Sequence, residues 1–315
     1  MDKDWQPTTS TDMLLARATL LRQVRHFFAE RQVLEVETPV LSRAAGTDPA
    51  LASLKTSLGS RDHYLQTSPE FAMKRLLASG SGPIFQIAKA FRDGEAGQQH
   101  NPEFTMLEWY RPGFTMVDLI DEVEALVSSL LTTGKARRIT YAQLFQDSLG
   151  IDPFTTSLLE LQAIAREKVD LVMESPHHDH WLDILFSHCI QPGLQEPVFI
   201  SHYPPSQAAL AKVESDENGT MAAMRFELVI KGLEIANGYL ELTDPVEQAR
   251  RFGQDQEQRK AMSLPEYPMD QHLLAALEHG LPDCAGVALG LDRLLMLITG
   301  AESIQQVISF PVDIA

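Results

Sequence analysis

Residues 90–110 read AFRDGEAGQQHNPEFTMLEWY, and they indicate the fold more strongly than any other stretch of the chain. The stretch predicts a hairpin in which Arg92 ends the first strand and a polar, glycine-containing loop leads into the second. An arginine at the rim of a hairpin can hold a phosphate with two parallel hydrogen bonds, and Phe104 offers a flat face to a nucleobase. Glu108 and Tyr110 are two residues apart, so they share one strand face, where an ammonium group could bind. The hairpin therefore predicts a nucleotide and a cationic amino acid bound side by side.

This stretch resembles the second signature motif of class II aminoacyl-tRNA synthetases, in particular of their lysyl branch. Three further segments match in the family's order: VLEVETPVL (33–41) resembles the first motif, FELVIKGLEIANGYLELTDPVEQ (226–248) the acidic substrate and metal strand, and GVALGLDRLLML (286–297) the third motif. An edge hairpin with solvated charges is the alternative for the first stretch alone, and a lone LDR or LEVETP would be a weak signal. Four ordered segments that span nearly the whole chain favour the family.

The segment before the first motif differs from that of lysyl-tRNA synthetases, which carry an oligonucleotide-binding barrel there. Here 32 residues precede the motif, and they predict one helix, with capping residues at 9–12 and apolar residues at helical spacing from Leu14 to Phe28. The resemblance therefore points to truncated paralogues of lysyl-tRNA synthetase, which attach (R)-β-lysine to a lysine side chain of elongation factor P. A minimal lysyl-tRNA synthetase that charges tRNA and a non-catalytic, amino-acid-sensing paralogue are the alternatives.

The charge of the chain bears on its partners. Its 315 residues carry a formal charge of −17, whereas binding to tRNA phosphates needs clusters of Lys and Arg. The nearest basic run, KARR at 135–138, is short. We therefore expect no tRNA partner. The resemblance implies elongation factor P and a small amino acid as the substrates.

Cysteine usage and hydropathy predict a cytoplasmic protein. Cys189 and Cys284 lack metal-type spacing and lie among apolar neighbours, so we expect both to be reduced and buried. The first residues, MDKDWQPTTSTD, are too polar for a signal peptide. No run approaches the about 20 apolar residues that span a bilayer, so we expect no membrane partner.

The order of elements predicts the fold class. Strand pairs joined by short turns, with helices grouped apart, indicate an α+β domain with an antiparallel β-sheet flanked by helices. The class II aminoacyl-tRNA synthetase catalytic fold is such a domain, so the resemblance implies one catalytic domain over residues 1–315, with a helical insertion at about 140–220. VLEVETPVL is interpreted as one strand. In the family the first motif lies at a twofold interface, so the resemblance also implies a homodimer.

The resemblance implies that ATP and Mg²⁺ are the cofactors. In the family reaction a carboxylate attacks the α-phosphorus of ATP, so catalysis consists of alignment and charge neutralisation. Arg92 matches the arginine that grips the α-phosphate, and Arg293 matches the one that covers the adenine and reaches the γ-phosphate. These two are the predicted catalytic residues, and Phe104 would stack on the other face of the adenine. The predicted ATP-binding residues are Arg92, Glu95, His100, Asn101, Phe104, Glu234, Ile235, Gly290 and Arg293.

Glu227 and Glu234 match the pair that binds Mg²⁺ in the lysyl branch, and hard oxygen ligands suit this ion. The two residues are seven apart, so a regular strand would not place them on one face, and a bulge or a turn at Lys231-Gly232 is needed to bring them together. Without the resemblance, two solvated surface glutamates would be the default interpretation.

The predicted amino-acid pocket is acidic. By resemblance Glu70 holds the backbone amine, whereas Glu108, Tyr110 and Glu241 hold the side-chain ammonium. A substrate with two ammonium groups needs compensating anions, because a buried unpaired charge is costly. This favours lysine or an isomer over neutral amino acids. The predicted substrate-binding residues are Ser68, Pro69, Glu70, Glu108, Tyr110, Asn237, Glu241 and Ala288.

Two positions depart from the lysyl pattern. The loop reads FRDGE where lysyl enzymes read FRNE, so Gly94 replaces a glutamate, for which Glu95 could substitute after a small loop shift. Ala288 stands where lysyl enzymes carry glycine. Its methyl group would crowd an α-amine and favour a substrate whose amine lies one carbon further out, which is a hypothesis in favour of β-lysine.

His177, His178, Asp179 and His180 look like a cluster of metal ligands, but they precede WLDILF on a polar loop. We interpret Asp179 as the N-terminal cap of the following helix. No metal is therefore expected at this cluster.

Overall fold

The computed structural model describes residues 5–169, 175–216 and 219–315. In chain order the helices and strands are α1 (Thr11–Glu30), β1 (Leu34–Glu35), β2 (Leu41–Ser42), β3 (Lys55–Leu58), β4 (Arg61–Leu65), α2 (Glu70–Ala78), β5 (Ile84–Phe91), β6 (Glu103–Pro112), α3 (Met116–Leu130), β7 (Arg137–Thr140), α4 (Tyr141–Leu149), α5 (Leu158–Lys168), α6 (His178–Leu185), β8 (Val198–Tyr203), β9 (Val213–Ser215), β10 (Met221–Ile230), β11 (Leu233–Leu240), α7 (Pro245–Ala261), α8 (Gln271–Gly280), β12 (Cys284–Gly290) and α9 (Leu291–Thr299).

The chain divides into two compact units by the contacts within it. The first contains Met1–Phe114, Ser129–Leu131 and Leu242–Ala315, and the second contains Thr115–Ser128 and Thr132–Glu241. The interpretation of residues 1–315 as one catalytic domain stays a prediction.

The main sheet of the first unit has the strand order β1-β5-β6-β12. β5 and β6 form the hairpin predicted from residues 90–110, with antiparallel pairs that run from Ile84 with Tyr110 to Phe91 with Glu103. β12 pairs with β6 in antiparallel register, whereas the short β1 pairs with β5 in parallel. A separate three-stranded sheet has the order β2-β4-β3.

Helix α1 covers one face of this hairpin with aromatic contacts. The ring of Phe28 stacks on that of Phe85 with centroids 4.5 Å apart, and it meets Trp109 edge-on at 5.3 Å. Phe85 and Trp109 are direct cross-strand partners, so they mark the apolar, buried face of the hairpin. Side chains alternate along a strand, so the neighbouring pair Gln86 and Glu108 lies on the other face.

The two predicted elements at the start of the chain have different outcomes. Helix α1 begins after Ser10, whose side chain accepts a hydrogen bond from the backbone nitrogen of Met13, so the predicted helix is confirmed. The prediction of one strand for VLEVETPVL is wrong, because β1 and β2 are two-residue strands on either side of Pro39. Proline has no N–H to donate and restricts the residue before it, which interrupts a ladder at this point.

The sheet of the second unit has the strand order β11-β10-β8-β7, and β9 also pairs with β10. The pairs are antiparallel except for β7 with β8, which is parallel. Phe145 of α4 and Trp181 of α6 share one hydrophobic cluster with Val198 and Val229 of the sheet. Residues 140–220 therefore contain the helices α4, α5 and α6 and, in addition, the strands β8 and β9.

Helix α3 and the two cysteines differ in detail from what the sequence indicates. Helix α3 ends at Leu130, four residues before Gly134, although a glycine is the residue that commonly ends a helix. Neither Cys189 nor Cys284 forms a disulfide; Cys284 is buried as predicted, whereas Cys189 is only partly buried. In the part of the chain that the structure describes, no helix combines the length and the apolar character that a membrane crossing requires.

Candidate active site

In the first unit, Glu108 is the centre of a polar cradle. Its carboxylate accepts hydrogen bonds from the hydroxyl of Ser68 at 2.7 Å and from that of Tyr110 at 2.5 Å. The second contact shows that Glu108 and Tyr110 share one face of β6, as their spacing predicts. Glu108 is 2% exposed, and a carboxylate with so little contact with water favours a cationic ligand.

The register of three strands places a row of residues at this cradle. Gln86 and Ala288 are the cross-strand partners of Glu108 on its two sides, so the Cβ of Ala288 lies on the same face of the sheet as the carboxylate. Gly286 and Gly290, the neighbouring residues on this face of β12, have no side chain. The methyl group of Ala288 therefore projects between two positions that carry no side chain.

Glu70, the second predicted acid of the pocket, opens helix α2. Its backbone nitrogen donates to the hydroxyl oxygen of Ser68 at 3.0 Å, so one serine contacts both Glu70 and Glu108. Pro69 occupies the N-cap position. The carboxylate of Glu70 accepts a hydrogen bond from Nζ of Lys74 at 2.5 Å, and the side chain of Lys74 is 1% exposed. The sequence analysis missed Lys74, although its spacing of four residues from Glu70 is the spacing at which a glutamate and a lysine pair on one helix face.

The loop after β5 carries the predicted α-phosphate ligand. The guanidinium carbon of Arg92 lies 5.0 Å from the centre of the Phe104 ring, and its Nη1 is 3.8 Å from Oε1 of Glu95. Gly94 has a φ of 79°, which glycine adopts without strain. The chain turns at Gly94, between Arg92 and Glu95, whose side chains contact each other. This placement fits the expectation that Glu95 substitutes for the family's glutamate.

Arg293 extends from the first turn of α9 to the same loop. Its Nη2 donates to Nε2 of His100 at 2.6 Å, and its Nε donates to the carbonyl oxygen of Gln99 at 3.4 Å. A Cβ at Gly290 would lie 3.8 Å from side-chain atoms of Arg293, which is an ordinary van der Waals contact. Both predicted catalytic arginines therefore contact the loop of residues 93–102, Arg92 near its start and Arg293 near its end.

Asn101 fixes the end of this loop. Its Nδ2 donates to the carbonyl oxygen of Glu103 at 2.6 Å, and its Oδ1 accepts a hydrogen bond from the backbone nitrogen of Val312 at 3.1 Å. The residue is 5% exposed. Its amide therefore holds the loop against the C-terminal segment, and a direct contact with ATP stays a prediction.

In the second unit, Glu227 and Glu234 lie on one face of the β10–β11 hairpin. Lys231 and Gly232 both have positive φ, and this two-residue turn makes Glu234 the cross-strand partner of Val229. Val229 is two residues after Glu227 on the same strand, so Glu234 shares the face of Glu227. The turn predicted at Lys231-Gly232 is confirmed, and it reconciles the odd spacing of the two acids.

A register shift further along this hairpin adds Asn237 to the same face. The pairing shifts by one residue next to the buried Ile235. Asn237 thereby becomes the cross-strand partner of Glu227, and its Oδ1 accepts a hydrogen bond from Nε of Arg225 at 3.2 Å. Without the shift, the alternation along β11 would turn Asn237 to the opposite face.

Glu227 and Glu234 line a cavity of about 300 Å³ within the second unit. Burial raises the pKa of Glu227 to about 7, the positive charge of Arg225 opposes this rise, and the neighbouring Glu234 carboxylate adds to it. Two carboxylates in a poorly solvated cavity suit a divalent cation that prefers oxygen ligands. The pair therefore fits the Mg²⁺ that the family implies.

Arg225 is the residue near this cavity that the sequence analysis missed. Its Nη2 forms an ion pair with the carboxylate of Glu227. The signal for it was available, since Arg225 is two residues before a predicted metal ligand and therefore on the same strand face. Glu241, predicted to bind substrate, is 1% exposed and pairs with Ala211 in an isolated β-bridge.

The predicted site residues thus fall into three groups, and direct contacts are observed within the two groups of the first unit. The first unit joins Ser68, Glu70, Glu108 and Tyr110, next to Pro69 and Ala288, and it gathers Arg92, Glu95, Phe104, His100 and Arg293 along one loop, with Gly290 beside Arg293. The second unit gathers Glu227, Glu234 and Asn237 on one hairpin face.

The histidine cluster before α6 has a different role from the predicted one. His177 occupies the N-cap position without a side-chain hydrogen bond, and Asp179 lies in the first turn of the helix. The prediction that Asp179 is the cap is therefore wrong by two residues; its Oδ1 instead accepts a hydrogen bond from the hydroxyl of Ser206 at 2.9 Å. Among residues 5–169, 175–216 and 219–315, no group of three or more His, Cys, Asp or Glu side chains could hold a metal ion.

Comparison with known proteins identifies the family. The family model described as tRNA synthetases class II (D, K and N) matches residues 4–314. The chain belongs to this family. Its α+β architecture, with mostly antiparallel sheets and flanking helices, is therefore the class II catalytic fold, as the four ordered sequence segments predict.

Curated relatives named elongation factor P–(R)-β-lysine ligase are similar to the chain over nearly its whole length. The protein of Pseudoalteromonas translucida is 51% identical over 98% of both chains, and that of Vibrio cholerae is 50% identical over 98% of both. The protein of Pasteurella multocida is 46% identical over 99% of this chain and 98% of the relative. The chain belongs to the same group of proteins, and it is an enzyme of the ligase class.

Proposed function

We propose that this enzyme activates (R)-β-lysine, or lysine, with ATP and ligates it to a lysine side chain of elongation factor P. The similarity of 46–51% identity, over nearly the full length, to ligases of that name supports the proposal most strongly. The geometry adds a reason for the substrate class, because the buried carboxylate of Glu108 lies in a cradle of hydroxyl groups.

The acidic cradle favours a substrate with two ammonium groups. Removing either charge from water alone would be costly. When Glu108 binds a substrate ammonium, the two charges compensate each other. Glu70 lies one serine away, and its carboxylate also pairs with the buried ammonium of Lys74, so the charge argument rests on Glu108. We assign Glu70 to the backbone amine and Glu108 with Tyr110 to the side-chain ammonium, and we add Glu241 to the latter by resemblance.

The first step forms an acyl-adenylate. One carboxylate oxygen of the amino acid forms a bond to the α-phosphorus of ATP, the bond to the bridging oxygen breaks, and pyrophosphate leaves. The nucleophile is already an anion, so the residues act by alignment and charge neutralisation. We assign Arg92 to the α-phosphate and Arg293 to the adenine and γ-phosphate. Their shared contact with the 93–102 loop supports this assignment.

We assign the metal to Glu227 and Glu234. When bound, Mg²⁺ neutralises phosphate charge and orients pyrophosphate as a leaving group. The protein's part is to hold two oxygen ligands on one hairpin face, which the Lys231-Gly232 turn achieves.

The second step transfers the acyl group. The neutral ε-amine of the acceptor lysine attacks the carbonyl carbon of the adenylate, the bond to the phosphate oxygen breaks, AMP leaves, and the amine loses one proton. The product is an amide between the amino acid and the lysine side chain. The formal charge of −17 supports a protein acceptor rather than tRNA.

We further propose a cytoplasmic homodimer in which residues 1–315 act as one catalytic domain, as the family implies. Leu34 and Val40 of the first-motif segment are exposed at 57% and 38%, respectively. Apolar side chains at such exposure support the proposal that a second copy covers this segment.

Amino-acid-dependent exchange of labelled pyrophosphate into ATP tests the activation step. We expect exchange with (R)-β-lysine or lysine and none with neutral amino acids. Adding purified elongation factor P or tRNA-Lys with labelled amino acid then identifies the acceptor. Absence of exchange with both lysine isomers would refute activation, and label on the tRNA alone would favour the lysyl-tRNA synthetase alternative.

A further inference from the structure

Arg225 contacts two residues that are predicted to bind different ligands. Its Nη2 pairs with the carboxylate of Glu227, assigned to the metal, and its Nε donates to the amide oxygen of Asn237, which the resemblance places among the residues that bind the amino acid. Its Nη1 donates to the carbonyl oxygen of Gln207 at 3.1 Å. All three nitrogens of one planar guanidinium are therefore engaged in different directions.

The surroundings of Arg225 hold this group in place. Its guanidinium carbon lies 4.5 Å from the centre of the Tyr203 ring, and its side chain is 17% exposed. A cation–π contact of this kind tightens as water is excluded from it. Tyr203 and Gln207 lie on β8 and the turn after it, so both anchors are outside the hairpin that carries Glu227 and Asn237.

We infer that Arg225 is a positioning residue that couples metal binding at Glu227 to amino-acid binding at Asn237. The inference rests on the proposed function. Because the guanidinium is planar and rigid, its hydrogen bond to either residue fixes the direction in which it meets the other. A ligand that orders one residue therefore lowers the cost of ordering the other. Such coupling is reciprocal, so each ligand tightens the binding of the other by the same factor.

The cavity beside Arg225 is the reason to expect a ligand there. Arg225, Glu227 and Glu234 all line its wall of polar groups, and its volume is about 300 Å³. An arginine that served only to stabilise the fold would not need to contact both Glu227, the proposed metal ligand, and Asn237, the proposed substrate-binding residue. The register shift that brings Asn237 to this face is what makes the double contact possible.

The test replaces the planar guanidinium group of Arg225 by the ammonium group of lysine. In Arg225→Lys the positive charge stays, but an ammonium group cannot serve both acceptors with the geometry of a guanidinium. Mn²⁺ affinity is measured by electron paramagnetic resonance of the free ion, with and without a non-hydrolysable ATP analogue, and affinity for (R)-β-lysine and lysine by calorimetry. We expect Mn²⁺ binding to weaken about 10-fold, as for other residues that orient a metal ligand, and the mutual enhancement between Mn²⁺ and the amino acid to fall toward one.

Arg138→Lys is the matched control. Arg138 lies in the same unit, pairs with Asp121 and Glu124, and stands 5.9 Å from the ring centre of Phe199, so it resembles Arg225 without contacting an assigned site residue. We expect this variant to keep the wild-type binding constants and the wild-type coupling. Melting temperatures of both variants show how far each change affects the fold.

Asn237→Ala gives a second test that leaves the arginine intact. Asn237 is not assigned to the metal, but its amide oxygen accepts a hydrogen bond from the Arg225 guanidinium. Because Asn237→Ala removes this acceptor, we expect the affinity for Mn²⁺ to fall together with the affinity for the amino acid. Wild-type Mn²⁺ affinity in folded Arg225→Lys and Asn237→Ala would overturn the inference. If the wild-type enzyme itself binds neither lysine isomer and shows no pyrophosphate exchange, the proposed function fails instead.

Discussion

Glu108 places a carboxyl group where water is almost absent. Its two carboxyl oxygens accept hydrogen bonds from Ser68 and Tyr110. The sequence predicted this acid and the tyrosine, because residues two apart on a strand share a face. It could not show that Ser68 links Glu108 to Glu70, since that contact depends on how α2 packs against the hairpin.

Replacing Glu108 by glutamine should weaken amino-acid binding far more than nucleotide binding. The substrate ammonium would lose its buried anionic partner, a loss of about 2–5 kcal/mol, so we expect the KM for the lysine isomer to rise by at least about 30-fold. Pyrophosphate exchange at varied amino acid and varied ATP measures both constants. Glu103→Gln, a half-exposed acid on the same strand that pairs with Lys89, is the control and should change neither.

Ala288 should set the preference between the two lysine isomers. It is the cross-strand partner of Glu108, so its methyl group lies at the edge of the acidic cradle. Ala288→Gly should shift the ratio of kcat/KM toward α-lysine by about 10-fold, since one methyl in a pocket is worth about 1–3 kcal/mol. Ala285→Gly, on the same strand but opposite Arg111, is the control. An unchanged ratio in Ala288→Gly would exclude the steric hypothesis.

The β10–β11 hairpin shows what a sequence pattern can and cannot predict about an element. The odd spacing of Glu227 and Glu234 required a turn, and Lys231-Gly232 supplies it. The register shift beside Ile235 cannot be recognised in the sequence. Where the side chains of a strand are mostly buried, no alternation of polar and apolar residues is visible that an extra residue would interrupt. The ion pair of Arg225 with Glu227 could have been inferred from their spacing of two residues, whereas its contact with Asn237 could not, since that contact depends on the face that Asn237 adopts.

Two glycine-to-alanine changes should have opposite effects on stability. Gly232 has a φ of 72°, and a Cβ there would lie 3.4 Å from the carbonyl oxygen of Gln191, so Gly232→Ala should destabilise by roughly 1–2 kcal/mol. Gly253 lies inside α7, and open space surrounds the position that a methyl group would take, so Gly253→Ala should stabilise by about 0.5–1 kcal/mol. Denaturant unfolding measures both, and effects of the same sign would contradict this account.

The first turn of α7 should contribute stability that depends on pH. Hydrogen bonds from Arg250, and then from Arg251, lower the pKa of Glu247 from 4.5 to about 2. A lowered pKa stabilises the fold above the ordinary value, and this contribution is lost as the pH falls from 4.5 toward about 2. Because the pair is largely open to solvent, we expect Glu247→Gln to cost only about 0.5–1 kcal/mol at pH 7.

The measurement is the free energy of unfolding of Glu247→Gln and the wild type between pH 2 and pH 7. The two curves should converge at the acidic end, where Glu247 becomes protonated in both the folded and the unfolded chain. Glu257→Gln, which removes an equal charge from the same helix, is the control. A difference that stayed constant over this range would show that the loss at Glu247 is not electrostatic.

For the whole molecule, motif order predicted the fold, whereas composition only disfavoured tRNA as the acceptor. Four segments in the order of the class II family were enough for the fold, and the family match over residues 4–314 confirms it. The single strand expected for VLEVETPVL was the main error, because strand propensity does not show where Pro39 interrupts pairing. The acidic charge of −17 disfavours a polyanionic partner, which leaves a protein as the expected acceptor.

The central claim is that the enzyme joins a lysine isomer to a side chain of elongation factor P. Its most direct test is mass spectrometry of intact elongation factor P after incubation with the enzyme, ATP, Mg²⁺ and (R)-β-lysine, followed by peptide mapping. The account predicts the addition of one β-lysyl group to one lysine side chain, dependent on ATP and abolished by Arg92→Ala. Unmodified elongation factor P, under conditions in which the same enzyme charges tRNA-Lys, would contradict it.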